Sequence, residues 1–259
     1  MTSALLSKLQ RWAYLSDEDA RLIKTLPGEH LTLARGDHPL TRADHDECSL
    51  LVTEGWAAEY KDTPSGRRVI VAFLLPGDFA MTTPGHDTSL RTVMLSPGSV
   101  LLVPRASMRQ LLARDPIRRG LEWAAAIRES VMAEWLVNIA SRKAHARLAH
   151  LLCELSIRMN SIDLLDHDVC DMPLTQIDLA NALAMTNVHL NVALQRLRAA
   201  KLVDVSARHL TILCRPQLEA IAEFDDEYLL RWPTELPDRR QANMRWADSE
   251  RRSRPPRHL

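Results

Sequence analysis

All eight glycines of this 259-residue chain lie within its first 120 positions, at 28, 36, 55, 66, 77, 85, 98 and 120. Glycine supplies the positive φ angles that tight strand connections need. The first part of the chain therefore reads as turn-rich β structure, and the glycine-free remainder as mostly helix. Strand signals fit this division. Residues 30–35 alternate before Gly36-Asp37, residues 49–53 precede Glu54-Gly55, and residues 56–61 and 67–75 flank the loop 62–66. Residues 90–95 and 100–103 flank Pro97-Gly98. Short strands at this spacing predict an antiparallel sandwich or barrel, with one helix over about 5–26 ahead of them.

From Ala106 the apolar period becomes that of a helix. Residues 106–114 form a short helix ending near Pro116, and residues 117–139 a long one. The long one spans about 35 Å at 1.5 Å per residue. Its apolar positions include Leu121, Ala124, Val131, Trp135 and Leu136, and they suit a bridge between domains, a paired helix from a second copy, or a helix packed on its own domain. Charged residues at Val131 and Leu136 are expected to break such a pair. Residues 144–159 form another helix and residues 161–172 a polar loop.

The segment TQIDLANALAMTNVHLNVALQRLRAAKLV, residues 175–203, carries the functional signal. Thr175 caps one short helix, with Asp178 completing a capping box, and Thr186 caps a second. Leu179, Ala180 and Leu183 face inward from the first; Leu190, Ala193, Leu194 and Leu197 from the second. Asn187, His189, Asn191, Gln195, Arg196 and Arg198 are left outside. This is the layout of a helix-turn-helix, whose second helix enters the major groove and reads base edges. Amide and imidazole groups match the donor and acceptor patterns there. Two structural amphipathic helices can share the spacing. Residues 202–213 then read as a two-stranded wing with Arg208 and His209 at its tip, which adds phosphate contacts and favours DNA. Residues 217–230 give one more short helix, and the arginine-rich residues 231–259 a disordered tail.

The order of parts resembles the Crp/Fnr superfamily of transcription regulators over about residues 10–225. The likeness is strongest in ASRKAHARLAHLLCEL (residues 140–155) and PLTQIDLANALAMTNVHLNVALQRLRAAKLV (residues 173–203), with PGDF (residues 76–79) at a β-roll turn. The resemblance implies an α+β chain with a jelly-roll-like antiparallel β-roll as effector domain (1–115) and a dimerisation helix (116–140). A Crp-type winged helix-turn-helix (141–230) and the tail (231–259) follow. It implies a cytoplasmic homodimer that is not an enzyme, binds a palindromic operator in double-stranded DNA and engages RNA polymerase. The DNA-binding residues expected are Thr175, Gln176, Thr186, Asn187, His189, Asn191, Val192, Gln195, Arg196 and Arg208.

Three departures bear on function. The family's phosphate cassette has a Gly-Glu-Leu segment, whereas AMTTPGHDTSL follows PGDF here. Arg91-Thr92 alone resembles the later part, so cyclic AMP is not expected. No cofactor is assigned, and Arg91, Thr92 and His86 are the effector-site candidates. Ala184 stands where the inter-helix turn often has glycine, and Val192 where the second helix usually has arginine.

Other function classes find less support. Net charge is zero, so the case for DNA rests on local distribution. It also leaves open a C-terminal half that binds protein instead. No apolar run approaches the roughly 20 residues of a membrane span, and charges come too early for a signal peptide. Cys48, Cys153, Cys170 and Cys214 are too dispersed for a cluster and read as reduced thiols. His38, Asp44, His45, Asp46, Glu47 and Cys48 read as a solvated loop and not a metal site. A cupin-like enzyme would need histidines on the strands, which carry almost none.

Overall fold

The computed structural model describes residues 2–40, 47–81, 90–162, 165–166, 169–206 and 209–230. Two helices, α1 (Ser3–Trp12) and α2 (Asp17–Lys24), open the chain. Strands β1 (Glu29–Leu33), β2 (Cys48–Glu54), β3 (Ala57–Asp62), β4 (Arg68–Leu74), β5 (Phe79–Ala80), β6 (Arg91–Met94) and β7 (Gly98–Pro104) follow. They form two antiparallel sheets, ordered β1-β7-β2-β5 and β4-β3-β6. Leu50, Val52, Met94 and Val100, each at most 1% exposed, fill part of the space they enclose.

The single helix expected over residues 5–26 is two. Ser16 accepts a hydrogen bond from Asp19 N, and the Asp19 carboxylate accepts from Ser16 N. This capping box starts a second helix where the apolar spacing alone suggested continuity. Helix α1 lies on the turn at Gly77, whose φ is +86° and where a Cβ would sit 2.8 Å from the Ala4 carbonyl carbon. Only glycine fits both demands.

Helix α3 (Arg105–Leu112) leads to α4 (Asp115–Ser141), and a two-residue link joins α4 to α5 (Ala144–Asn160). Val131 and Trp135 of α4 are buried in their own protomer, Phe73 meeting the Trp135 ring edge-on at 5.6 Å. Met132, Leu136 and Val137 point outward, 45%, 70% and 48% exposed. Val131 is therefore a core residue, and the outward apolar stripe is the one carrying Leu136.

The expected loop over residues 161–172 contains β8 (Leu165–Asp166) and β9 (Val169–Asp171). Helices α6 (Gln176–Ala182) and α7 (Asn187–Ala199) come next, then β10 (Val203–Ser206) and β11 (His209–Ile212). β9 pairs with β11, so the wing is the outer part of a sheet ordered β10-β11-β9-β8. The expected helix over residues 217–230 is α8 (Arg215–Ala222) and α9 (Glu227–Leu230), separated at Glu223, which is left-handed at φ 49°. The tail over residues 231–259 lies outside the described residues. No described helix is long and apolar enough to cross a membrane.

Candidate nucleic-acid interface

Helices α6 and α7 are set by local hydrogen bonds that their sequence specifies. Thr175 Oγ1 accepts from Asp178 N at 3.2 Å, and Asp178 Oδ2 accepts from Thr175 N at 2.7 Å. Thr186 Oγ1 accepts from His189 N at 3.2 Å. Leu179, Ala180, Leu183, Leu190, Ala193, Leu194 and Leu197 are all buried, the face the apolar spacing selects. Between the helices Ala184 adopts φ 54°, a conformation that costs an L-residue roughly 1 kcal/mol over glycine. Met185 N donates to Ala180 O across that turn, and Arg147 Nη1 of α5 braces it through Leu183 O at 3.3 Å.

The opposite face is open. Thr175, Gln176, Thr186, Asn187, His189, Asn191, Gln195 and Arg196 are exposed, and Val192 is 64% exposed. Val188 (70%) and Ile177 (58%) join them. Neither is among the expected contacts, although Val188 lies four residues before Val192 and so shares its face. Arg198 turns back to donate to Val205 O of the wing strand and is not presented as Arg196 is. His209 Nδ1 lies 2.7 Å from Asp171 Oδ1 on the neighbouring strand. Arg208 lies outside the described residues.

Arg196 of α7 and Lys143 before α5 both lie near the His145 imidazole. Burial pushes the His145 imidazole below its ordinary pKa, and the charges of Arg196 and Lys143 push it further. The charged groups Lys143 and Arg196 therefore lie on either side of that ring, one before α5 and one on α7. An exposed face of amides, imidazole and arginine on a short helix can donate to and accept from base edges, and Arg196 can offset phosphate charge.

On the roll, Arg91 is exposed on β6 and Thr92 is buried, facing Tyr60 and Glu59 of β3 in register. His86, Asp44, His45 and Asp46 lie outside the described residues. Among the described residues no three His, Cys, Asp or Glu side chains converge as metal ligands. A cleft of about 690 Å³ lies between α1, β4, the turn after it and α4. It is mostly apolar, lined by Leu9, Trp12, Phe79, Met81 and Met132 among others. Leu90 lines it, whereas Arg91 and Thr92 do not. Arg128 of α4 ion-pairs with Glu59 and donates to Phe79 O at 3.1 Å, which ties helix to roll at the cleft wall.

These features define a regulator in which a β-roll is joined by a long helix to a winged helix-turn-helix. Residues 146–221 match the Crp-like helix-turn-helix domain, and residues 30–115 match the cyclic nucleotide-binding domain. The chain is 26% identical over 172 residues to the transcriptional activatory protein AadR of Rhodopseudomonas palustris, an alignment covering 65% of this chain and 71% of that one. Its fold is similar to that of FixK2 from Bradyrhizobium japonicum, with TM-score 0.67, 23% identity, and 76% of this chain and 98% of that one covered. It is also similar to a CooA mutant from Carboxydothermus hydrogenoformans, with TM-score 0.58, 16% identity, and 84% and 95% covered. The chain belongs to the Crp/Fnr family of transcriptional regulators.

Proposed function

We propose that the protein regulates transcription as a homodimer, each copy placing α7 in the major groove of one half of an inverted repeat. The outward face of α7 carries this reading. Asn187, His189, Asn191, Val192 and Gln195 reach bases, Val192 against a thymine methyl. Thr175, Gln176, Thr186 and Arg196 meet the backbone, as does Arg208, which falls between β10 and β11 in the sequence. The exposed apolar residues Met132, Leu136 and Val137 support pairing of α4 with its two-fold mate. Such a pair sets the two reading helices about 34 Å apart, so half-sites fall one turn apart. The same reading makes the chain a cytoplasmic, non-enzymatic partner of RNA polymerase that is not governed by cyclic nucleotide.

Selection of bound fragments from random DNA tests it. An inverted repeat should emerge, and Asn191→Ala should weaken binding by roughly 1–3 kcal/mol at particular base pairs. Arg196→Ala should instead weaken all sequences alike and lower the salt slope by about one. Recovery of no sequence preference, with both variants silent, would remove α7 as the reading head.

A further inference from the structure

The capping box of α6 is also a socket for the roll. Arg35, just beyond β1, lies more than a hundred residues away in sequence from α6. Its Nη2 donates to Asp178 Oδ2 and, at 3.4 Å, to Thr175 Oγ1. Its Nη1 donates to Pro173 O at 3.2 Å and to Leu95 O within the roll. One guanidinium thus joins the roll to the residues that begin α6. The Asp178 side chain is only 11% exposed, and the same oxygen accepts from both the amide and the hydroxyl of Thr175 at 2.7 Å. Helix α6 packs against β4. Arg68 begins that strand; it is paired first with Asp62, and Asp178 is among the charges it feels.

The start of α6 is the end that a phosphate approaches in a helix-turn-helix docked on DNA. Asp178 places a carboxylate there. Its acidic oxygen is needed to cap the helix, but its charge repels phosphate. A fixed cation against it removes that repulsion, and a planar fork holds the two domains in one orientation while doing so.

We propose that Arg35 is a positioning residue of the DNA interface supplied by the effector domain: it seats the α6 cap and cancels the Asp178 charge where phosphate must approach. The proposal rests on the DNA-binding reading above. It acts through Asp178, which distinguishes it from an arginine that only adds attraction and from one that only stabilises the fold.

Fluorescence anisotropy on the full-length chain tests it, with a duplex selected by the wild type and a random duplex of equal length. Arg35→Gln should weaken both by roughly tenfold. Asparagine can still accept from the Thr175 amide, so the Arg35→Gln, Asp178→Asn double variant keeps a cap without the bare charge. It should recover most of the loss. Tighter binding by Arg35→Gln would make the contact a brake and overturn the proposal, as would unchanged binding. A double variant as weak as Arg35→Gln would overturn the route through Asp178. Failure of the wild type to bind either duplex would fail the DNA-binding reading itself, and this one with it.

Discussion

His150 makes the fold acid-sensitive in a way that can be isolated. It sits on α5, 1% exposed, with Phe224 edge-on at 5.0 Å and Tyr228 stacked at 6.1 Å. Its Nε2 lies 3.1 Å from Glu134 Oε1 without the alignment of a hydrogen bond, and Glu134 is already paired to Arg142 at 2.8 Å. Burial first, and then the Arg142 charge, push its pKa from 6.5 down to about 3. The folded chain therefore holds this ring neutral while the unfolded chain takes up a proton below pH 6.5. Stability is fully present above that value and is lost as pH falls toward 3. Between pH 7.5 and 5.0 the unfolded state gains about 1.5 pH units of protonation, worth about 2 kcal/mol. His150→Phe keeps a ring between Phe224 and Tyr228 but cannot titrate. Urea unfolding of both proteins at the two pH values gives the share belonging to His150 as a difference of differences. Glu154, whose fully buried carboxyl is pushed up by burial, contributes with the opposite sign in both proteins and cancels. If wild type and variant lose the same stability to within about 0.5 kcal/mol, the ring is not held neutral by its surroundings.

Ala184→Gly relieves the left-handed backbone and should raise unfolding stability by about 1 kcal/mol with DNA affinity unchanged; a loss of stability would show that the turn is not strained. Met132→Glu with Leu136→Glu should give monomers by sedimentation, because both face outward on α4, and unchanged dimers would place the interface elsewhere. Calorimetry at micromolar cyclic AMP or cyclic GMP should show no heat, and a sub-micromolar Kd for either would refute the reading of residues 80–90.

Features governed by neighbours in sequence were legible. Strand boundaries followed the glycine and proline turns, and both helices of the reading unit followed from caps three residues long. Ala184 stood where such a turn often has glycine, and its φ of 54° is a conformation that glycine adopts freely. Continuous apolar spacing over residues 5–26 masked the Ser16–Asp19 box, although that motif is as local as the Thr175–Asp178 one. β8 and β9 are two and three residues long, too short to show a period of two. Val131 and Leu136 shared one expected stripe, but α4 has one apolar face against its own chain and another turned outward, and only burial separates them.

What no local pattern carries is the way the halves are held together. Lys8 of α1 pairs with Asp78 at 2.6 Å, Asp78 lies 3.3 Å from Arg158 of α5, and Arg158 lies 3.2 Å from Glu154. Trp135 Nε1 of α4 and the Tyr228 hydroxyl both donate to Glu154 Oε2, at 2.8 and 3.3 Å. Burial raises the Asp78 carboxyl, yet Lys8 and Arg158 outweigh it and hold it ionised. The Phe73–Trp135 contact supplies apolar area, which tolerates sliding. Ion pairs with fixed donors do not, because a displaced partner leaves a part-buried charge unpaired. Arg158 also donates to Phe73 O at 2.6 Å, so one side chain reads the roll's backbone, its Asp78 turn and its own helix at once. The roll and the winged helix are therefore held in one register by polar contacts, and the apolar core between them adds strength without choosing the angle.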